Sequence, residues 1–269
     1  MSDSTRLAMH GAGGRMGRAI IGLVPQTEGV TLGQAFERDG SDLIGRDAFE
    51  LAGVSQRGVQ IQAADAPVEG VDVVIDFSSA AATASLAPRA AAAGAALVVG
   101  TTGLDEAAMS ALREAESKVP VLVAANTSVG VAVLFHLAEL ASGLLGPDYD
   151  AEIVEMHHRH KIDAPSGTAL RLAERVRAAR GLPASAEVHG RTGTPGARRD
   201  DEVGVLALRG GDVIGEHTLI FAGAGERVEL THRAGDRSLF ARGALRAARW
   251  IAGKPAGRST GSARAKRPR

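Results

Sequence analysis

The sequence predicts an α/β protein of two domains, a parallel sheet wrapped by helices and then a smaller α+β unit. Up to about residue 126, short apolar runs alternate with Ala-rich segments that carry almost no helix breakers. A glycine-rich turn follows directly on the first apolar run. After residue 126 one long apolar segment gives way to strands at short spacing joined by Gly-containing turns.

In the first domain, "RLAMH", "VTLGQAF", "VDVVIDF", "ALVVG" and "VPVLVA" read as strands. The last three carry adjacent Val or Ile residues without polar alternation, as strands buried on both faces do. Between them, residues 80–93 and 105–118 read as helices, the first with Pro88 inside it. The second domain opens with a helix over 129–145, then a strand "AEIVEMH" and a helix over 167–180 closed by Gly181 and Pro183. A Gly- and Arg-rich loop, "HGRTGTPGARRDDE", reads as mobile. The strands "VGVLALR", "GDVIGEHTLIF" and "ERVELTH" follow and suggest a mostly antiparallel sheet. Residues 236–252 place Phe240, Ala244, Ala247 and Ile251 on one helical stripe suited to packing back on the first domain. The expected boundaries are 1–126, 127–234, a returning helix at 235–252 and a basic, disordered tail at 253–269.

Lys plus Arg equals Asp plus Glu at 31 each, so no net field favours nucleic acid or an anionic membrane, and neither is an expected partner. The absence of cysteine excludes disulfides, a thiol nucleophile and thiolate metal sites. With no apolar stretch of signal length at the N-terminus, and the apolar and small run at 90–100 too short to span a bilayer, a cytoplasmic protein is expected.

"MHGAGGRMG" sits between the first strand and the first helix, where a dinucleotide fingerprint belongs. Gly11 permits the tight turn, Gly13 the close approach of a pyrophosphate, and the helix N-terminus holds its charge. The spacing is Gly-x-Gly-x-x-x-Gly, with Gly17 one place later than in the commonest form. Glu37 ends the second strand, where a carboxylate meets ribose hydroxyls. Arg38 beside it suits a 2′-phosphate, so the pair suggests use of both NADH and NADPH. A solvated "ERDGSD" turn is the plainer alternative. "GTTG" at 100–103 ends a buried strand, the edge at which open α/β sheets bind ligands, and Thr101 and Thr102 offer hydroxyls there.

The stretch "HHRHKIDAPSGTA", residues 157–169, holds three of the eight histidines within four positions and one of only four lysines against 27 arginines. Pro165 disfavours helix at Ala164, and Ser166 is a good cap, so a helix starts there with free amides near Gly167 and Thr168. Those amides, the helix dipole and the Lys161 ammonium suit a carboxylate ligand. A histidine titrating near neutrality supplies a proton donor. Two other readings stay open: structural histidines, or a zinc site with Glu155, although His157 and His158 diverge on a strand.

Together "GAGGRMG", "ERDGSDLIG", "GTTG", "AANTSVGV", "EMHHRHKIDAPSGTA" and "RGGDVIGEHTLIFAGAGERVELTHRA" resemble the dihydrodipicolinate reductase family over residues 6–253. The resemblance implies a Rossmann-type parallel sheet with a second α+β substrate-binding and oligomerisation domain, and a homotetramer. It implies reduction of 4-hydroxy-tetrahydrodipicolinate by NADH or NADPH in diaminopimelate and lysine biosynthesis. It places the cofactor against Gly11, Ala12, Gly13, Gly14, Arg15, Met16, Glu37, Arg38, Gly100, Thr101, Thr102, Ala124, Ala125, Asn126 and Thr127. His157 becomes the proton donor and Lys161 the catalytic cation, with His158, Gly167 and Thr168 binding substrate and no metal required. The domains are expected to close about hinges near 127 and 235. Three departures stand out: Thr127 where the family carries an aromatic, His10 in place of a small or apolar residue, and the basic tail after Gly257. A nucleotide sensor without turnover, or a dehydrogenase of another oxo acid or semialdehyde, would share the glycine loop but not need "HHRHKIDAPSGTA".

Overall fold

The computed structural model describes residues 4–256. It divides into two units, one running to Thr127 and resuming at Phe240, the other spanning Ser128–Leu239. The second crossing lies five residues beyond the expected 234/235, because helix α7 (Ser238–Ile251) starts only at Ser238 and its first two residues fall in the second unit. The expected tail falls mainly on 257–269, outside the described residues.

The first unit runs β1 (Thr5–His10), α1 (Arg15–Leu23), β2 (Val30–Glu37), α2 (Ala48–Leu51), β3 (Ile61–Ala63), β4 (Val73–Asp76), α3 (Ala80–Ala92), β5 (Ala96–Val99), α4 (Glu106–Glu116) and β6 (Val121–Val123). Its sheet has the order β3-β2-β1-β4-β5-β6 and every pairing is parallel. Alternation along β1 explains why both faces are apolar. Leu7 and Met9 pack with Ile20 and Ile21 of α1 and with Ala244 and Ile251 of α7, while Ala8 points to the face shared with Leu86 of α3 and Leu112 of α4. Ser79 and Asp105 cap α3 and α4 through their side chains. Pro88 lies within α3 without ending it. The sequence reading missed α2 and β3, which are too short to show a period.

The second unit runs α5 (Val129–Leu145), β7 (Asp150–His157), α6 (Gly167–Arg180), β8 (Glu187–Val188), β9 (Val203–Arg209), β10 (Glu216–Ala222) and β11 (Arg227–Arg233). The sheet order is β11-β10-β7-β9-β8. It is mixed rather than mostly antiparallel: β7 pairs parallel with β9, as does β8, while β10 is antiparallel to β7 and β11. The reason is α6, a crossover that returns the chain in the direction of β7. Leu134 and Ala138 of α5, Leu172 and Val176 of α6, and Ile153, Val205, Leu219 and Phe221 of the sheet form the core. The loop expected to be mobile is pinned by its arginines: Arg191 bonds Glu152 and Glu202, and Arg198 bonds Glu152 and Asp150.

Helix α5 corrects the sequence reading of apolar runs. Extended to Asp148 it is long and apolar enough to cross a membrane by length and composition. One face packs in the unit's core, whereas Val133, Leu137, Leu140 and Leu144 are exposed.

Candidate active site

In the first unit the glycine loop leaves β1 at its junction with β2. Gly11 and Ala12 both donate N–H to the Phe36 carbonyl, at 3.0 and 2.9 Å. Gly11 has φ +81°, and a Cβ there would overlap the Phe77 carbonyl, so only glycine fits. At Gly17 a Cβ would overlap the Gly11 carbonyl, which lets α1 begin hard against the loop. Gly14 is the N-cap and offers no side chain to the first-turn amides. Arg15 and Met16 open the helix. The Gly13 N–H donates to Glu37 Oε2 at 2.8 Å, while Glu37 Oε1 accepts from the Arg38 N–H at 3.1 Å. The carboxylate at the end of β2 thus reaches the glycine loop, and the Arg38 side chain is exposed. This cradle fits a dinucleotide: backbone shaped by glycine, an uncapped helix N-terminus and a carboxylate at the ribose position.

The neighbouring loops are tied to one buried carboxylate, Asp76 at the end of β4. It accepts from His10 Nδ1 at 2.8 Å, Ser78 Oγ at 2.5 Å, Thr83 Oγ1 at 2.5 Å and Thr101 Oγ1 at 3.0 Å. The His10 departure is therefore a buried imidazole–carboxylate pair. Thr101 also accepts from the Ser78 N–H, so its hydroxyl turns inward and is not offered to a ligand, contrary to expectation. Thr102 is exposed. A Cβ at Gly100 would overlap the Phe77 ring. Ala124 donates to the Val99 carbonyl, Ala125 is exposed and Asn126 half-buried. The Thr127 hydroxyl donates to the Phe240 carbonyl at 2.7 Å, which ties the end of this segment to α7.

In the second unit β7 ends at His157, and a turn closed by the Lys161 N–H on the His158 carbonyl follows, so strand alternation does not govern His158 and His160. Their rings lie 6.3 Å apart. Lys161 Nζ donates to both Asp163 oxygens, at 2.7 and 2.8 Å. Ser166 caps α6 by accepting from the Ala169 N–H; Gly167 is exposed and Thr168 half-buried in the first turn. His157 Nδ1 donates to Glu155 Oε2 at 2.6 Å, and the His217 ring from β10 meets the His157 ring edge-on at 5.1 Å.

Burial lowers the His157 pKa, opposed by Glu155 and reinforced by the Lys161 and Arg209 charges. Burial likewise pushes His217 down to about 4, with His157 adding to it. Burial alone would raise Glu155; Arg209, His157 and the Ser166 amide overcome it and hold the carboxyl below its ordinary range. Sequence reasoning weighed Glu155 only as a metal ligand and missed Arg209, His217 and Asp76. Among the described residues no three His, Asp or Glu side chains cluster as metal ligands.

Residues 5–127 match the family described as "Dihydrodipicolinate reductase, N-terminus" and residues 130–262 its C-terminal counterpart. The chain is 51% identical over 256 residues to 4-hydroxy-tetrahydrodipicolinate reductase of Anaeromyxobacter dehalogenans, covering 94% of each chain. It is 47% identical to the enzyme of that name from Alkalilimnicola ehrlichii, over 95% of this chain and 96% of the other. Among solved structures, a dipicolinate-bound dihydrodipicolinate reductase from Paenisporosarcina sp. superposes with a TM-score of 0.71 at 22% identity, covering 92% and 94% of the two chains. At that identity the likeness concerns the fold.

Proposed function

The chain belongs to the dihydrodipicolinate reductase family, and we propose how its residues divide the work of that reaction. It is an oxidoreductase that uses NAD(P)H to reduce 4-hydroxy-tetrahydrodipicolinate to tetrahydrodipicolinate in diaminopimelate and lysine biosynthesis. The bound nicotinamide supplies the hydride. In our reading the first unit binds it: the glycines of the loop let the pyrophosphate approach the N-terminus of α1, where the first-turn amides at Arg15 and Met16 hold it, while Glu37 accepts from the ribose hydroxyls. Arg38 takes the 2′-phosphate when NADPH is used, so both cofactors serve. The backbone around Gly100, Thr102 and Ala124 to Asn126 lines the same edge of the sheet. Thr101 and Thr127 support it without offering their hydroxyls.

The second unit binds the dicarboxylate. Lys161 and the first-turn amides of α6 at Gly167 and Thr168 hold carboxylate, aided by His158. The observation that carries this reading is the Lys161 ammonium with a carboxylate, Asp163, already across it at 2.7 and 2.8 Å, on the loop that runs into the Ser166-capped N-terminus of α6. The 4-hydroxyl leaves as water, and with each hydride the reduction takes up one proton. His157 gives it from Nε2, because Nδ1 is engaged with Glu155. Substrate carboxylates near this lowered-pKa imidazole favour its charged form, so proton uptake accompanies binding.

Self-association into a homotetramer is also part of the proposal, supported by the exposed apolar stripe of α5 and read by light scattering. We infer a cytoplasmic location from the soluble substrate class. The deciding assay follows absorbance loss from NADH and from NADPH, with the unstable substrate generated in place from pyruvate and aspartate semialdehyde by its synthase. Protein-dependent oxidation of both is expected. Nucleotide binding without oxidation would favour another substrate or a sensor.

A further inference from the structure

We propose that Glu155, locked by Arg209, is the positioning group of the second unit: it fixes the His157 tautomer and ties down the loop that carries Lys161. This rests on the reading of His157 as proton donor and extends it to residues that reading leaves unused.

Glu155 is fully buried on β7, and both its oxygens are saturated. Oε2 accepts from His157 Nδ1 at 2.6 Å and Arg209 Nη1 at 2.8 Å. Oε1 accepts from the Ser166 N–H at 2.9 Å and Arg209 Nη2 at 3.0 Å. An ionised carboxylate only accepts, so His157 must carry its proton on Nδ1, which leaves Nε2 as the nitrogen that gains and gives a proton. The Arg209 fork comes from the end of β9, whose parallel register sets Arg209 opposite His157. From there Nη2 also donates to the Asp163 carbonyl at 2.6 Å. One guanidinium therefore holds the carboxylate that orients His157 and the backbone two residues past Lys161. Through the Ser166 amide the same carboxylate holds the cap of α6. A Cβ on Gly215 would stand 3.0 Å from His157 Nε2, so any side chain there would crowd the nitrogen that carries the transferred proton.

The first readout needs no substrate. In protein labelled with 15N-histidine, and assigned with His157→Gln, neutral His157 should show a protonated Nδ1 and a bare Nε2. Glu155→Gln with Arg209→Met, which removes both charges and so avoids an orphaned arginine in the core, should give mixed tautomers. Turnover of that folded variant should fall by about 10²- to 10⁴-fold while nicotinamide fluorescence reports unchanged nucleotide binding. Gly215→Ala, which keeps every charge, should lower turnover by about 10-fold through displacement of the ring. Arg209→Met alone gives a third readout. The groups facing His157 are Glu155 on its own strand, Arg209, Lys161 and His217. Loss of the Arg209 charge raises the His157 pKa, so the decline of kcat/KM with rising pH moves to higher pH.

A protonated Nε2 in the wild-type protein, or wild-type turnover in the folded double variant, would overturn the inference. If the wild-type protein fails to oxidise either cofactor, the substrate assignment falls, while the tautomer measurement still decides the role of Glu155.

Discussion

In the first unit the candidate ligand loop is shaped by backbone against backbone, whereas in the second the corresponding residues are held by side chains from distant strands. Gly11 and Ala12 hang from the Phe36 carbonyl, and neither Gly11 nor Gly17 has room for a Cβ. His157, Lys161 and the α6 cap depend instead on Glu155, Arg209 and Asp163. Nucleotide recognition needs an approach distance, which glycine supplies. Proton transfer needs a fixed atom, a fixed tautomer and a local charge, which only side chains supply. The two regions should fail differently when disturbed.

The largest separation is expected from His157→Ala and Lys161→Ala. Each should lower turnover by about 10²- to 10⁴-fold with nucleotide binding near wild type, checked by steady-state kinetics and nicotinamide fluorescence. Loss of nucleotide binding in both would mean that the two regions share one ligand. Gly11→Ala should do the reverse. A side chain at φ +81° against the Phe77 carbonyl costs about 3 kcal/mol or more of stability, read by urea unfolding, and weakens nucleotide binding in whatever folds.

Acid should find the second unit first. His217 has a folded pKa of about 4 against about 6.5 unfolded, a depressed value. Its contribution is complete above pH 6.5 and is lost as pH falls from there to about 4, amounting to about 3 kcal/mol. His157 and His232 are lowered as well and act in the same direction. Urea midpoints at pH 7.5 and 4.5 measure the loss, and His217→Gln should flatten it. An unchanged midpoint would mean that the buried imidazole protonates without penalty.

The same contrast explains what was legible in the sequence. Backbone-shaped features announce themselves locally, since a glycine at the end of a strand and a serine before a helix reveal their conformation by residue type. The loop at Gly11 and the starts of α5 and α6 were therefore readable. The mixed sheet was not, because a strand's direction depends on its partner. Nor was the bond between Glu155 and Arg209, which are 54 positions apart and meet only through the β7–β9 register. Thr101 misled for a related reason: its hydroxyl looked available in sequence, yet Asp76 takes it up, just as Asp76 takes up the His10 ring and the Phe240 carbonyl takes up the Thr127 hydroxyl.

The smallest effect tests the exposed charge proposed in the backbone-shaped region, Arg38. Glu37 is occupied on both oxygens, by the Gly13 and Arg38 amides, so its position is fixed by the loop it serves. The Arg38 guanidinium is exposed and, among the described residues, makes no ion pair. Its loss should leave fold and loop intact. Arg38→Ala should weaken NADPH by about 10-fold, the low end for a charged hydrogen bond at an exposed site, and NADH by less than 2-fold. Equal weakening of both would place Arg38 on the pyrophosphate or the loop rather than on the 2′-phosphate. No weakening of either would leave Glu37 alone at this edge, and since a carboxylate repels a 2′-phosphate, NADH would then be the preferred cofactor.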